Sequence, residues 1–277
     1  MLNLELVRIL VFISSLTILV SAIGSAQPAK ENHHTEKLYH LFSPSLICGD
    51  LNHFEDTIKA SEYALGIKSE RTDDVFLKTG SLHLDIFDGD FAESEGFTIS
   101  QIQRIRKMVS VPLQIHLMSH QSADVVTKLS KILRPNFDTI IVHIEARDSA
   151  TAIQRVIENK ILLGLALRID TSFADAIPQL SLVSTLLLFT VRKVGQRGQS
   201  IDEQAYKRIA AIKRYLSLNS LNIELLVDGG VYENSIRALA LAGATRFVVG
   251  SAFFGSDAKG DPNQLREKLE AQLYPSE

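Results

Sequence analysis

Residues 82–89 read LHLDIFDG, in which apolar residues alternate with His83 and Asp85 before the chain turns. A period of two is typical of a strand whose two faces meet different surroundings, so both polar side chains point the same way. Imidazole and carboxylate both suit a divalent first-row metal, and the pair therefore supplies two candidate ligands. Taken alone, the pair also fits an ordinary strand end with a hydrogen-bonded histidine.

Two later stretches repeat this pattern. Residues 111–118 read VPLQIHLM, with His116 near the end, and residues 221–231 read LNIELLVDGGV, with Asp228 before a glycine pair. We expect each of the four polar residues at the carboxyl end of an apolar strand. In a barrel of parallel strands these ends open on one rim, so the four side chains are expected to converge.

Strand and helix patterns alternate from Leu41 onward. The predicted strands lie near residues 42–47, 82–87, 111–118, 139–143, 162–168, 184–191, 221–228 and 246–250. The predicted helices lie near residues 50–65, 99–109, 122–133, 150–158, 173–180, 202–218 and 233–242. Such alternation predicts an α/β fold with a parallel sheet, and eight strands predict closure into a (β/α)8 TIM barrel.

Composition narrows the class of protein. A chain of 277 residues with 45% hydrophobic content can bury the core of one barrel. The net charge of -3 and the lack of a long basic run argue against a nucleic-acid partner. The single cysteine, Cys48, cannot form an intrachain disulfide, which fits a reducing compartment.

An apolar N-terminal segment precedes the predicted barrel. Residues 9–26 are apolar and a polar stretch follows, so we assign residues 1–36 to a leader and linker and residues 37–277 to the barrel. The leader is a signal peptide, a weak membrane tether through residues 9–26, or a miscalled start. Lys30 and Lys37 follow the apolar run and only Arg8 precedes it, so a tether would keep the barrel in the cytoplasm, the location we expect.

Five short motifs occur in one order along the chain. They are Ser43-Pro44-Ser45, the stretch 82–89, His116-Leu117-Met118, Val227-Asp228-Gly229-Gly230 and Gly250-Ser251-Ala252. Together they resemble the ribulose-phosphate 3-epimerase family, including the hexulose-phosphate epimerases, over residues 42–255. The resemblance implies a barrel of the ribulose-phosphate-binding type and an isomerase of carbohydrate metabolism in the pentose phosphate pathway.

The resemblance also implies a mechanism. One divalent metal ion (Zn, Fe(II), Mn or Co) would be held by His83, Asp85, His116 and Asp228, with no organic cofactor. Asp85 and Asp228 would be the catalytic acid/base pair that inverts C3 of a ketose phosphate through an enediolate. D-Ribulose 5-phosphate, giving D-xylulose 5-phosphate, is the default sugar-phosphate substrate. The expected substrate-binding residues are Ser45, Met118, Gly198, Gly229, Gly230, Gly250 and Ser251, and we expect a homo-oligomer.

The chain departs from the family around the substrate. Residues 192–199 read RKVGQRGQ, one residue longer than the family's mobile loop and without its proline. Arg197 falls where the family has a phosphate-contacting glycine, so it either binds phosphate through its side chain or lies in a solvated loop. Phe87 and Phe189 stand where the family tends to place methionines, which predicts a reshaped pocket.

Three alternatives remain open from the sequence. A hexulose-6-phosphate 3-epimerase is slightly favoured by residues 45–50, SLICGD. A catalytically silent phosphosugar-binding barrel is suggested by the altered loop, and a barrel of the indole or histidine biosynthesis type shares the Gly250-Ser251 ending but leaves the two histidines unexplained. His143 and Glu145 end the fourth strand on one face, where we favour a role behind the ligands or in packing.

Overall fold

The computed structural model describes residues 41–49, 54–65, 80–196, 198–254 and 262–274. The leader and linker over residues 1–36 and the loop residue Arg197 lie outside this part of the chain. Within the described residues, none of the helices combines the length and the apolar character that a membrane crossing needs.

Eight strands form one parallel sheet. They are β1 (Leu41–Pro44), β2 (Leu82–Phe87), β3 (Leu113–Met118), β4 (Thr139–His143), β5 (Leu162–Leu167), β6 (Thr185–Phe189), β7 (Glu224–Asp228) and β8 (Arg246–Val249). Their order in the sheet is β1-β8-β7-β6-β5-β4-β3-β2. A parallel bridge between Ser45 and His83 brings the two edge strands together, so the barrel is nearly closed. The predicted (β/α)8 barrel is confirmed.

Helices follow the strands along the chain. They are α1 (Phe54–Ala64), α2 (Ile99–Met108), α3 (Ser122–Leu129), α4 (Ser149–Glu158), α5 (Gln204–Leu218), α6 (Ile236–Ala242), α7 (Ser251–Phe254) and α8 (Pro262–Leu273). The helix predicted over 173–180 is wrong in type, because two 3-10 helices, Phe173–Asp175 and Ile177–Leu182, stand there. Pro178 lies in the first turn of the second one, and its missing N–H prevents a continuous α-helix through this stretch.

The first strand is also shorter than predicted. It ends at Pro44, and residues Leu46–Cys48 form a 3-10 turn instead of continuing to residue 47. The third strand begins at Leu113, not at Val111, just after Pro112. The sequence placed both strands correctly, and the errors fall at ends where a proline lies at or beside the strand terminus.

The strands divide their side chains between two layers. On β2, Leu82, Leu84 and Ile86 belong to the large apolar core shared with the helices. Interior positions of neighbouring strands form a smaller apolar cluster inside the barrel, made of Ile141, Ala166, Leu187, Phe189, Val191, Leu226 and Val248. The alternation of a strand therefore directs His83 and Asp85 into the barrel while their neighbours anchor the strand to the helices.

A buried ion pair stands at the amino end of the barrel. Asp138 lies directly before β4, and Nη1 of Arg106, from α2, donates to its Oδ1 at 2.7 Å. The same oxygen accepts from the backbone N–H of Leu113 at 2.9 Å, and Oδ2 accepts from the backbone N–H of Arg134 at 2.7 Å. The Arg106–Asp138 pair thus joins one helix to the starts of two strands.

Candidate active site

Four side chains converge inside the barrel, and we call them the His–Asp cluster: His83, Asp85, His116 and Asp228. One ligand atom from each residue lies within 4.8 Å of the other three. Nε2 of His83 is 3.2 Å from Oδ1 of Asp85 and 3.7 Å from Oδ2 of Asp228. Nδ1 of His116 is 3.3 Å and 3.4 Å from the same two oxygens. Two nitrogens and two oxygens therefore face one common point.

The strand register explains this convergence and corrects one expectation. Asp228 is the last residue of β7, as expected, but His83 is the second residue of the six-residue β2. Asp85 is paired with His116 across β2 and β3. Tilted strands of a barrel are staggered, so residues at different positions along their strands reach the same level.

Each histidine of the cluster is held through its other ring nitrogen. Nδ1 of His83 lies 2.7 Å from Oε1 of Gln114, and Nε2 of His116 lies 2.9 Å from Nε2 of His143. Both imidazoles are fully buried. These contacts leave Nε2 of His83 and Nδ1 of His116 directed at the carboxylates. Gln114 was missed by the sequence analysis, although it precedes His116 by two residues on one face of a strand.

The cluster fits a divalent metal ion. Nδ1 of His116 is buried and, among the described residues, makes no hydrogen bond of acceptable geometry, although two carboxylate oxygens are near it. Two imidazole nitrogens and two carboxylate oxygens are a donor set that first-row divalent metals accept. A cation at the common point would satisfy the otherwise unpaired nitrogen and both carboxylates.

The pKa values of the residues in the His–Asp cluster depend on one another. Burial alone would raise the pKa of Asp85, but the charges of His83 and His116, together with the hydrogen bond to His83, hold that pKa well below its usual range. Burial likewise opposes a charge on His116, but Asp228 and Asp85 outweigh it and raise the pKa of His116 to about 9. The pKa of His83 is also raised, chiefly by Asp85 against the effect of burial. The carboxylates therefore favour positive charge at the common point.

His143 and Glu145 lie behind His116. Nδ1 of His143 is 2.9 Å from Oε2 of Glu145, and Oε1 of Glu145 accepts from the backbone N–H of Arg168 at 2.8 Å and from the hydroxyl of Thr171. Burial lowers the pKa of His143 to about 4. Burial would raise the pKa of Glu145, but the hydrogen bond from His143 leads the contacts that lower it to about 2.

A pocket opens beside the two aspartates. Its lining includes Asp85, Asp228 and every residue expected to bind substrate, namely Ser45, Met118, Gly198, Gly229, Gly230, Gly250 and Ser251. The hydroxyl of Ser45 donates to Oδ2 of Asp85 at 3.1 Å, on the carboxylate oxygen that does not face the histidines. Phe87 and Phe189 also line the pocket. Tyr232 was missed, although it stands two residues after the glycine pair.

Glycines shape the pocket at the end of β7. Gly229 and Gly230 have φ values of 103° and 68°, in the left-handed region that favours glycine. A Cβ on Gly230 would lie 2.6 Å from the side chain of Ile201, so no larger residue fits there without a shift. These two positions bring backbone close to whatever occupies the pocket.

The segment after β6 contributes Gly195, Gln196, Gly198 and Gln199 to the pocket lining. The amide nitrogen of Gln199 donates to the carbonyls of Lys193 and Gln196 at 2.6 Å and 2.7 Å, and its oxygen accepts from the N–H of Lys193 at 3.0 Å. The hydroxyl of Ser94 donates to the carbonyl of Gly195 at 3.2 Å. The segment is thus folded on itself by one amide and tied to the loop after β2.

Comparisons with known proteins agree with this architecture. The model of the ribulose-phosphate 3 epimerase family matches residues 42–254. The cytoplasmic isoform of ribulose-phosphate 3-epimerase from Oryza sativa subsp. japonica is 30% identical over 199 residues, covering 70% of this chain and 85% of that protein. The ribulose-phosphate 3-epimerase of Aquifex aeolicus is 26% identical over 233 residues, covering 83% and 96%.

Solved structures resemble the chain in fold. A mutant tryptophan synthase α-subunit from Pyrococcus furiosus aligns with a TM-score of 0.55 and 15% identity, covering 84% of this chain and 96% of that one. The structure of KGPDC from Streptococcus mutans aligns with a TM-score of 0.53 and 10% identity, over the same shares of the two chains. At these identities the likeness describes the barrel alone.

Proposed function

The chain belongs to the ribulose-phosphate 3-epimerase family, and from this premise we propose that it inverts C3 of D-ribulose 5-phosphate to give D-xylulose 5-phosphate. Family membership makes it an enzyme of the isomerase class. The observation that carries the proposal is the pair of carboxylates, Asp85 and Asp228, which line one pocket while both face the two buried histidines. Inversion at a carbon next to a ketone needs two proton-transfer groups, and this pocket supplies two.

Asp85 and Asp228 are the proposed acid and base. One carboxylate removes the C3 proton from one face of the sugar, and the other delivers a proton to the opposite face of the planar enediolate. In Asp85 the oxygen toward Ser45 is turned away from the histidines, so it is the oxygen we assign to proton transfer. The serine hydroxyl orients that oxygen by donating a hydrogen bond to it.

His83, Asp85, His116 and Asp228 are the residues that would hold a divalent metal. When bound, such an ion would act as a Lewis acid that favours negative charge on the substrate oxygens. Zn, Fe(II), Mn and Co all accept this donor set. Proton transfer at a carbon next to a ketone needs no organic cofactor, so we assign none.

The remaining pocket residues are assigned to the substrate's other end. Gly229, Gly230, Gly250 and Ser251 lie together on the pocket lining, where backbone amides and a hydroxyl suit a phosphate group. Met118, Phe87 and Phe189 supply apolar surface beside the aspartates, and Gly198 contributes to the lining from the segment after β6. A homo-oligomer and a cytoplasmic location remain our predictions, and the tether segment 9–26 lies outside the described residues.

The full chain, loaded in turn with Zn, Mn and Co, is the protein to test. We expect ribulose 5-phosphate in deuterated water to give xylulose 5-phosphate with deuterium at C3, followed by NMR, and chelation to stop the reaction. Deuterium uptake without that product would mean that a related ketose phosphate, not ribulose 5-phosphate, is the substrate. Parallel assays with hexulose 6-phosphates would then test whether the protein is a hexulose-6-phosphate 3-epimerase. No exchange by a protein with bound metal would identify a non-catalytic phosphosugar-binding barrel.

A further inference from the structure

Three side chains form a line that leads away from the His–Asp cluster. Nε2 of His116 is 2.9 Å from Nε2 of His143, and Nδ1 of His143 is 2.9 Å from Oε2 of Glu145. The rings of His116 and His143 are nearly parallel, with centroids 4.9 Å apart and planes 21° apart. The line therefore starts at a cluster residue and ends at a carboxylate outside the cluster.

The carboxylate determines where each proton in this line resides. An ionised carboxylate only accepts hydrogen bonds, so Glu145 requires a hydrogen on Nδ1 of His143. Neutral His143 then has its lone pair on Nε2, which must accept a hydrogen from Nε2 of His116. Neutral His116 is left with its lone pair on Nδ1, the atom that faces Asp85 and Asp228.

We propose that His143 and Glu145 are positioning residues that fix His116 in the tautomer and orientation in which Nδ1 binds the metal. The inference rests on the metal site of the proposed function. Partners of this kind hold a metal-binding imidazole in place and increase its basicity. The two residues touch neither the common point of the cluster nor the pocket lining, so they act through His116.

The surroundings of the two residues are built to hold them in place. His143 is fully buried, with the ring centroid of Phe91 at 4.8 Å in addition to the neighbouring ring of His116. Glu145 is fixed in turn by the backbone N–H of Arg168 and the hydroxyl of Thr171. Each member of the line is thus constrained by contacts that do not depend on a bound metal.

The two histidines of the cluster differ in this support. His83 is held by the neutral amide oxygen of Gln114, whereas the support of His116 ends in a carboxylate. A carboxylate polarises the intervening imidazoles more than an amide does, because its hydrogen bond is charge-assisted. We therefore assign to His116 the more strongly donating of the two ligand nitrogens.

The test compares two histidine-to-phenylalanine variants of the full chain. His143→Phe keeps an aromatic ring but removes the acceptor for His116, while His120→Phe is the control, because His120 also contacts Phe91 with centroids 5.0 Å apart. We expect His143→Phe to raise the dissociation constant for Co(II) about 10- to 100-fold and to change the Co(II) absorption spectrum. His120→Phe should do neither.

A conservative variant separates positioning from packing. His143→Gln places an amide oxygen within reach of His116 and should recover most of the Co(II) affinity that His143→Phe loses. If His143→Phe does not fold, Glu145→Gln takes its place, with an expected loss on the order of tenfold, because the charge is removed and a hydrogen-bonding group is kept. Equal affinity in the wild type and in the folded variant would overturn the proposal.

The tautomer is read directly from the Zn(II) form. In protein with ¹⁵N-labelled histidine, we expect hydrogens on Nε2 of His116 and Nδ1 of His143, and a hydrogen on Nδ1 of His116 would overturn the proposal. If the wild type binds neither Co(II) nor Zn(II), the proposed metal site fails and this inference fails with it. If the wild type binds and His143→Phe is unaffected, the inference alone fails.

Discussion

The barrel buries charged groups at both ends, and the two ends satisfy them differently. At the amino end, Asp138 accepts three hydrogen bonds, and Nη2 of Arg106 donates to the carbonyls of Val109 and Val111 at 2.6 Å and 2.9 Å. At the carboxyl end, the His–Asp cluster leaves Nδ1 of His116 without a well-formed hydrogen bond among the described residues. The Arg106–Asp138 pair makes its hydrogen bonds within the chain, whereas the His–Asp cluster is arranged so that a cation would complete it under the proposed function.

We expect the ion pair at the amino end to contribute mainly to stability and the cluster at the carboxyl end mainly to function. A buried ion pair with all its hydrogen bonds made resists removal of either partner, because the remaining charge would be stranded in a medium of low polarity. A cluster that crowds carboxylates and imidazoles around one point holds its groups ready for a ligand. In TIM barrels, chemistry is placed at the carboxyl end of the strands and structural conservation at the other.

The largest effect on activity is expected when one aspartate of the His–Asp cluster is neutralised. We expect Asp85→Asn and Asp228→Asn each to lower kcat by roughly 10²- to 10⁴-fold, because each removes one of the two proton-transfer groups. The free energy of unfolding should fall by less than for removal of a carboxylate at the amino end, because the other aspartate of the cluster still faces the two histidines. Turnover by NMR and urea unfolding measure the two quantities, and wild-type turnover by either variant would exclude the two-aspartate mechanism.

The corresponding aspartate-to-asparagine change at the amino end should lower stability and leave kcat nearly unchanged. Asp138→Asn removes the charge opposite Arg106, and we expect the free energy of unfolding to fall by about 3–5 kcal/mol. The kcat of the folded fraction should stay near the wild-type value, because Asp138 lies at the other end of the barrel. The double variant Arg106→Leu/Asp138→Leu should be less destabilised than the single one. A loss of kcat without a loss of stability would contradict the division between the ends.

Sequence patterns predicted the carboxyl end of the barrel far better than the amino end. His83, Asp85, His116 and Asp228 interrupt apolar strands and are conspicuous for that reason. Arg106 and Asp138 are 32 residues apart and lie in a helix and before a strand, so no local period relates them. Their pairing depends on how α2 packs against the sheet, which is a tertiary property.

The same limit explains the other omissions. Gln114 is one polar residue in a strand, and nothing local shows that its oxygen faces Nδ1 of His83. Tyr232 lines the pocket just after the left-handed backbone of Gly229 and Gly230, a conformation that a regular strand pattern does not predict. Repeated strand alternation was enough to predict the eight strands, whereas contacts between distant side chains required the folded chain.

Glu145 tests whether hydrogen bonding, and not position in the barrel, decides which carboxylates stabilise the fold. It lies at the carboxyl end, but its hydrogen bonds are made within the chain. Its pKa is lowered from 4.5 to about 2, so its contribution to stability is complete above pH 4.5 and is lost as pH falls toward 2. Each pH unit in that window is worth at most about 1.4 kcal/mol. We expect wild-type stability to fall about 1 kcal/mol more than that of Glu145→Gln between pH 5.5 and pH 3.5. Parallel urea midpoints for the two proteins would contradict the shift.

The smallest effect is expected at an exposed pair that matches the Arg106–Asp138 pair in distance. Nη2 of Arg104 donates to Oε1 of Glu55 at 2.6 Å, against 2.7 Å for the buried pair, but both exposed side chains are more than half accessible. Water already solvates both charges there, so Glu55→Gln should change the free energy of unfolding by no more than about 0.5 kcal/mol. Urea unfolding of Glu55→Gln beside Asp138→Asn compares one carboxylate-to-amide change at nearly equal distances. A loss of several kcal/mol at Glu55 would mean that distance, not burial, governs these pairs, and the contrast between the two ends would lose its physical basis.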